Sequence, residues 1–373
     1  MAQVDERIRK VGFVEGLLRR PELGSIFGLI IVVVAYMLLT GPINVAAGHK
    51  NTFFDMWQSP VGVQAWVELT AYIGIIGIAA ALLMISGEFD LSIGANVALG
   101  GHTLAMMVLA GVPLPLAILV TIGLMLAVGA ATGLLVVTTG LPSFIVTLGF
   151  WFANRGFANY LAFRVHDTSR LDIKKQLEES KVLQDGAVVE LPDPTWIDDV
   201  FAFKDGFFGI EVSWLFLNAE VYYFVIVALV AIYVLNFSKV GNWIFASGGD
   251  PVAARAVGVP VSRVKVGLFM MSAVLSGFLG IIFVLSSGVS DPLAGDFREL
   301  HAIAAAVIGG SALTGGYGTV IGAILGALIF SIVQIGIRFV PLIDNNMFRV
   351  IVGMMLLGAA LLNQFIRDRV VKG

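Results

Sequence analysis

Asn242-Trp-Ile-Phe-Ala-Ser-Gly-Gly-Asp-Pro-Val-Ala-Ala-Arg-Ala-Val-Gly258 is a short, polar-ended island between two long apolar runs, 219 to 236 and 264 to 288. The spacing predicts a two-turn helix at its end. Asp250 suits the N-cap, Pro251 the first helical position, Ala253, Ala254 and Ala256 the interior, and Gly258 a left-handed terminus. Lys239, Arg255, Arg263 and Lys265 gather positive charge around the island. That bias favours the cytoplasmic side of a membrane. A short, rigid cytosolic helix between spans is what a pump needs if a soluble motor is to push on it. An ordinary amphipathic loop helix is the competing reading.

Working outward, the 373 residues are 58% hydrophobic and 13% charged, with a mean hydropathy of +0.93. This is too apolar for a soluble domain of that length and implies an all-α polytopic membrane protein. A net charge of −3 with no large basic patch leaves nothing for nucleic acid to bind. The chain has no cysteine, which excludes disulfides, thiolate catalysis and Cys-ligated metal.

Apolar runs able to cross or partly cross roughly 30 Å of hydrocarbon lie at 24 to 41, 66 to 86, 92 to 110, 114 to 138, 142 to 162, 219 to 236, 264 to 288, 299 to 313, 316 to 338 and 347 to 366. Of these ten, 299 to 313 is short and 92 to 110 begins with polar residues, so both are expected to be broken or re-entrant helices. Residues 1 to 23 carry helically spaced apolar positions among Arg7, Arg9, Lys10, Arg19 and Arg20. They are expected to form a cytoplasmic amphipathic helix at the membrane surface. Ten crossings then put the 237 to 263 loop and the basic tail 367 to 373 on the same cytoplasmic side. They divide the bundle into halves at 24 to 162 and 218 to 366, with a charged periplasmic insert at 163 to 217. A helix-like stretch near Leu171 to Leu183 lies within that insert.

Small residues recur at four-residue intervals in Gly129 and Gly133, in Ser272, Ser276 and Gly280, and in Gly318, Gly322 and Gly326. Such stripes let helices pack closely. The segment Ser86-Gly-Glu-Phe-Asp-Leu-Ser-Ile-Gly94 leading to His102 is weakly echoed by Ser287-Gly288 through Arg298-Glu-Leu-His301 and Gly309-Gly-Ser-Ala-Leu-Thr-Gly-Gly316. An internal pseudo-repeat of this kind is typical of transporters, with irregular helices where the halves meet.

The candidate pore or gate residues are Glu88, Asp90, Asn96, His102, Asn154, Arg155, Glu299 and His301, with Arg298 alongside. Asp90 with Ser92 can cap exposed N–H groups at the start of the third segment. Alternatively, charged groups at this depth face a polar interior path. For the others the alternative to a path is a satisfied interhelical hydrogen bond. No His or carboxylate pair has metal-ligand spacing on one helix face, and no Ser-His-Asp order, HExxH, GxSxG or phosphate-binding loop is present. The chain is therefore expected to be no enzyme, with no metal and no nucleotide site of its own.

Several stretches together resemble one family, the permease subunits of bacterial ATP-binding-cassette importers for monosaccharides of the ribose and xylose type. They are residues 86 to 94, Leu141-Pro-Ser-Phe-Ile-Val-Thr-Leu-Gly149 with Arg155-Gly156, the island from Gly248 to Gly258 with Val261 and Arg263, and Glu299-Leu-His-Ala-Ile through Gly318. The order is the family's, over roughly residues 66 to 338.

The resemblance implies a dimer of permeases, cytosolic ATPase subunits that bind the ATP and Mg, and a periplasmic substrate-binding protein, all at a bacterial inner membrane. It also implies that Asp250, Pro251, Ala253, Ala254, Arg255, Gly258 and Arg263 couple the permease to the ATPase. The chain departs from the family in having Asp250-Pro251 where Asn is commoner, and in its longer insert. An ion-coupled carrier using Glu88, Asp90, Arg155 or Glu299 is the different-class alternative. Within the importer reading, a polyol, nucleoside or branched-chain amino acid competes with a sugar as cargo.

Overall fold

The computed structural model describes residues 22–46, 57, 60–173, 175, 219–339 and 347–372. All but the last two residues of the amphipathic helix expected over 1 to 23, and most of the insert from 174 on, lie outside the described residues. The helices are α1 (Glu22–Ala46), α2 (Pro60–Ile85), α3 (Ile93–Leu109), α4 (Leu114–Thr139), α5 (Ser143–His166), α6 (Ala219–Phe237), α7 (Lys239–Gly249), α8 (Pro251–Ala256), α9 (Val261–Ser287), α10 (Arg298–Ile308), α11 (Val320–Gly336) and α12 (Met347–Lys372). Each of the ten apolar runs thus carries a helix. The protein is an all-α integral membrane protein.

Among the described residues, four helices are long and apolar enough to span on their own: Val61–Ile85, Leu114–Thr139, Ala219–Phe237 and Val261–Ser287. By contrast α10 has 11 residues, about 16 Å of helix. It therefore reaches only part-way across, as its sequence predicts. α3 is 17 residues long and follows a non-helical break at 86–92.

α2 is the axis of the bundle. Ile73, Ile75, Ile76, Ile78, Leu83 and Ile85 are fully buried on every side of it, and α10 and α11 pack along its length. A helix apolar all round can be buried this way because it has no polar face to hydrate. α4 and α6 are also apolar all round but leave Leu116, Leu119, Leu134, Val225, Ile226 and Leu229 exposed. That outward apolar surface matches hydrocarbon.

The small-residue stripes are packing devices. A Cβ added at Gly129 would come within 2.6 Å of the Phe269 carbonyl in α9, and one at Gly100 within 2.6 Å of Gly277 Cα. Gly322 and Gly326 bring α11 against the α10 backbone in the same way. Only glycine permits such axial separations.

Two local expectations are corrected. Leu171 and Asp172 are extended, not the start of a helix, and pair antiparallel with Val289 and Ser290 in register Leu171↔Ser290. Leu171 is fully buried against α3 and α9 residues, and this packing overrides the local helical pattern. The rest of the stretch to Leu183 falls almost wholly outside the described residues. The island at 242–258, expected to carry one two-turn helix at its end, carries that helix as α8 and a second one, α7, before it, the two separated because Asp250 is extended at φ −146° and ψ 96°.

Candidate functional sites in the membrane body

At the short helix, sequence and geometry agree atom by atom. Asp250 accepts from the Val252 and Ala253 N–H groups, each at 2.9 Å, with Pro251 following as the first helical residue. At the other end Gly258 has φ +87°. Its N–H reaches the Arg255 carbonyl at 3.0 Å, while Val259 N–H reaches Ala254 at 3.0 Å. Those two bonds make a Schellman motif that closes the helix. Ala254 turns inward and is buried; Val252, Ala253, Arg255, Ala256, Val257 and, at the start of α9, Arg263 face out. Val252 is 72% and Val257 81% exposed.

The end of α7, immediately before this helix, is anchored. Gly248 at the end of α7 packs directly on the Ile85 carbonyl, and Gly316 N–H also donates to that carbonyl at 2.8 Å. The end of α2, the end of α7 and the loop after α10 are thereby held backbone to backbone. Glu88 lies beside this junction in an ion pair with Lys265 of α9, and both side chains are largely buried.

Deeper in the bundle, Asp90 is buried and accepts three hydrogen bonds. Ser92 N–H at 2.8 Å and Ser92 Oγ at 2.5 Å share Oδ1, and Ser272 Oγ of α9 reaches Oδ2 at 2.6 Å. Asp90 therefore caps the break before α3, not the helix itself. Ser92 occupies the N-cap without a side-chain cap bond. The line continues: Asn96 Nδ2 donates to Ser92 Oγ at 3.0 Å, and Asn154 Nδ2 of α5 donates to Asn96 Oδ1 at 2.8 Å. In addition, Phe89 and Leu91 N–H groups donate to Ser143 and Thr147 hydroxyls, each at 3.0 Å. Three sequence-distant helices, α3, α5 and α9, are tied at one break by groups that satisfy one another.

Arg155 and Glu299 form a second cluster at the other break. Arg155 Nη1 pairs with Asp296, and its guanidinium lies 4.7 Å from the Trp151 ring centroid. The Trp151 indole stands next to Glu299. Glu299 Oε2 lies against Gly94 in the first turn of α3, where Gly295 packs on the Gly94 backbone. The two weakly similar stretches of sequence thus meet at Gly94 and Gly295.

The remaining candidates stand apart. His102 Nε2 is 2.9 Å from the Ser169 carbonyl, and Nδ1 lies 2.8 Å from Ser290 Oγ and 3.1 Å from the Ala98 carbonyl. It fastens α3 to the paired β1 (Leu171–Asp172) and β2 (Val289–Ser290). His301 packs on Phe330, ring centroids 4.8 Å apart, and Arg298 lies over the Phe283 ring.

Sequence reasoning missed Asp296, Trp151 and the pairing of Ser272 with Asp90. A lone hydroxyl in a small-residue stripe and a lone carboxylate beside a glycine were the signals available.

Comparison with known proteins agrees with this architecture. A probable ABC transporter permease protein, YphD, of Escherichia coli (strain K12) is 34% identical over 302 residues, 80% of each chain. The fructose import permease protein FrcC of Rhizobium meliloti is 29% identical, covering 81% of this chain and 77% of its own. The ribose import permease protein RbsC of Bacillus subtilis (strain 168) is 28% identical over 97% of this chain and 98% of its own. No solved structure matches. Residues 63–360 match the family described as the branched-chain amino acid transport system / permease component, and the chain belongs to that family of ABC transporter permeases.

Proposed function

We propose that this chain is the membrane permease of an ATP-driven importer that passes a monosaccharide or related polyol from a periplasmic binding protein into the cytoplasm. The observation that carries this reading is the exposed, doubly capped α8, which directly follows the end of α7, itself held by backbone contacts on α2 and the loop after α10. Such a helix moves as one piece when pushed, and it presents Val252, Arg255 and Val257 as a small apolar and basic contact. Cytosolic ATPase subunits are the partner it fits, and they bind the ATP and Mg that this chain has no motif to hold. The permease works as a dimer, with both termini and α8 in the cytoplasm and with the inner membrane of a bacterium as its location.

A sugar or polyol is favoured as cargo over a branched-chain amino acid because the named relatives that align over most of this chain are ribose, xylose and fructose import permeases. The binding protein supplies affinity. The permease then needs only differential contact with its inward and outward states to be driven by the motor.

The test is uptake of ribose, xylose and fructose, and of leucine, by proteoliposomes containing the permease, its ATPase and its binding protein. ATP-dependent sugar uptake supports the reading; accumulation without the ATPase, or uptake of leucine alone, overturns it. Because the chain has no cysteine, Arg255→Cys provides a unique label for sidedness. Modification by an impermeant maleimide from the cytoplasmic face alone is expected.

A further inference from the structure

The Arg155 cluster has spare hydrogen-bonding capacity that the packing does not use. Asp296 occupies Nη1, whereas Arg155 Nε and Nη2 are buried and make no hydrogen bond among the described residues, and the same holds for Glu299 Oε2 and for the Trp151 indole Nε1–H that stands beside the Glu299 carboxylate. Nε–H and Nη2–H lie along one edge of the planar guanidinium and form a fixed two-pronged donor. Trp151 beneath the guanidinium holds its plane. Glu299 is 9% exposed and the Arg155 side chain 13%, so leaving these groups empty is costly. Asp296, at 37%, connects the cluster to the surface.

We propose that Arg155, Glu299 and Asp296 form a cargo-contact site for a neutral solute bearing adjacent hydroxyl groups, at the point where the breaks before α3 and α10 meet. Two neighbouring hydroxyl oxygens accept from Nε–H and Nη2–H, and one of those hydroxyls donates its proton to Glu299 Oε2. A hydroxyl can do both, whereas a carboxylate can only accept. An amino acid would have to bury both charges of its zwitterion here, its carboxylate on the fork and its ammonium at Glu299, whereas a polyol brings neutral hydroxyls, so the cost of desolvating two charges disfavours the amino acid. Contacts of this number suit a path that must release its cargo. This proposal rests on the importer reading and adds to it where the solute touches the membrane body.

The experiment uses the complete importer with ribose, xylose, fructose and leucine as probes, comparing wild type with Arg155→Lys and Glu299→Gln. Arg155→Lys keeps a cation for Asp296 and removes the fork; Glu299→Gln keeps shape and removes the anionic acceptor. Each is expected to lower sugar uptake about tenfold or more, while ATP hydrolysis stimulated by the binding protein persists. Sugar uptake at the wild-type rate in both variants overturns the site and leaves the importer reading intact. Absence of ATP-driven uptake by wild type overturns the importer reading instead. A second measurement covers variants that do not fold. Saturation-transfer NMR of wild-type permease in nanodiscs, without the binding protein, is expected to detect contact with ribose and none with leucine. Contact with leucine and none with the three sugars contradicts the proposal.

Discussion

The short helix α8 and the paired breaks before α3 and α10 are built by opposite means. In α8 every controlling group lies between residues 250 and 259: Asp250 starts it, Pro251 fits its first turn and Gly258 with Val259 closes it. At the breaks the partners are far apart in sequence, with Asp90 held by Ser272, Asn96 by Asn154, and Gly94 packed on Gly295. A locally determined element is rigid by itself and can pass on a push. A non-locally determined junction depends on the arrangement of whole helices, which is where a change of state is felt.

That contrast is broken most sharply at Gly295. A Cβ there would stand 2.7 Å from the Gly94 carbonyl carbon and 3.1 Å from Gly94 Cα, backbone that cannot swing aside, so Gly295→Val is expected to cost about 3 kcal/mol or more. Thermal unfolding in detergent, or failure to recover a monodisperse protein, would show it. Normal stability would mean that the two breaks do not touch.

Asp90→Ala comes next. It leaves the Ser92 and Ser272 donors buried without their acceptor, at about 3 kcal/mol, measured as a lowered Tm. Adding Ser272→Ala should produce less than the sum of the two separate losses, because the partners share one interaction.

At α8 the effects are smaller and local. Asp250→Ala is expected to cost about 1 kcal/mol by orphaning two N–H groups. Gly258→Ala costs about the same because of its left-handed backbone. Hydrogen exchange should show faster opening of 251–257 in either variant, with α2 and α9 unchanged. If the exchange change spreads through α2, the helix is not a self-contained unit.

The smallest effect belongs to the outer surface. Leu119, 66% exposed on α4, should tolerate Leu119→Ala within about 0.5 kcal/mol. A large loss of stability there would point to a protein neighbour on that face instead of lipid.

The same contrast explains what the sequence discloses. The ten apolar runs, the short α10 and both ends of α8 rest on composition and on signals a few residues long, so they are readable directly. Asp250 marks the start of α8 in this way, whereas the end of α7 has no residue of its own to mark it, because the same Asp250 is its C-cap. Leu171 and Asp172 look helical locally but are extended because Val289 and Ser290 offer a partner over a hundred residues later. Within the candidate sites, Glu88, Asp90, Asn96, Asn154, Arg155 and Glu299 stand out as polar residues in apolar surroundings. Which of them share a cluster is decided by tertiary contact alone. Asp90, Asn96 and Asn154 join one line, Arg155 and Glu299 another, and His102 and His301 neither.

The most direct measurement is the coupling of ATP hydrolysis to uptake when the exposed side of α8 is altered without touching buried Ala254. In proteoliposomes with the ATPase and binding protein, Val252→Glu together with Arg255→Glu should reduce sugar uptake about tenfold or more, with the protein's Tm and the binding protein's affinity unchanged. Uptake and stimulated ATP hydrolysis at wild-type levels would contradict a role for α8 as the point where the motor acts.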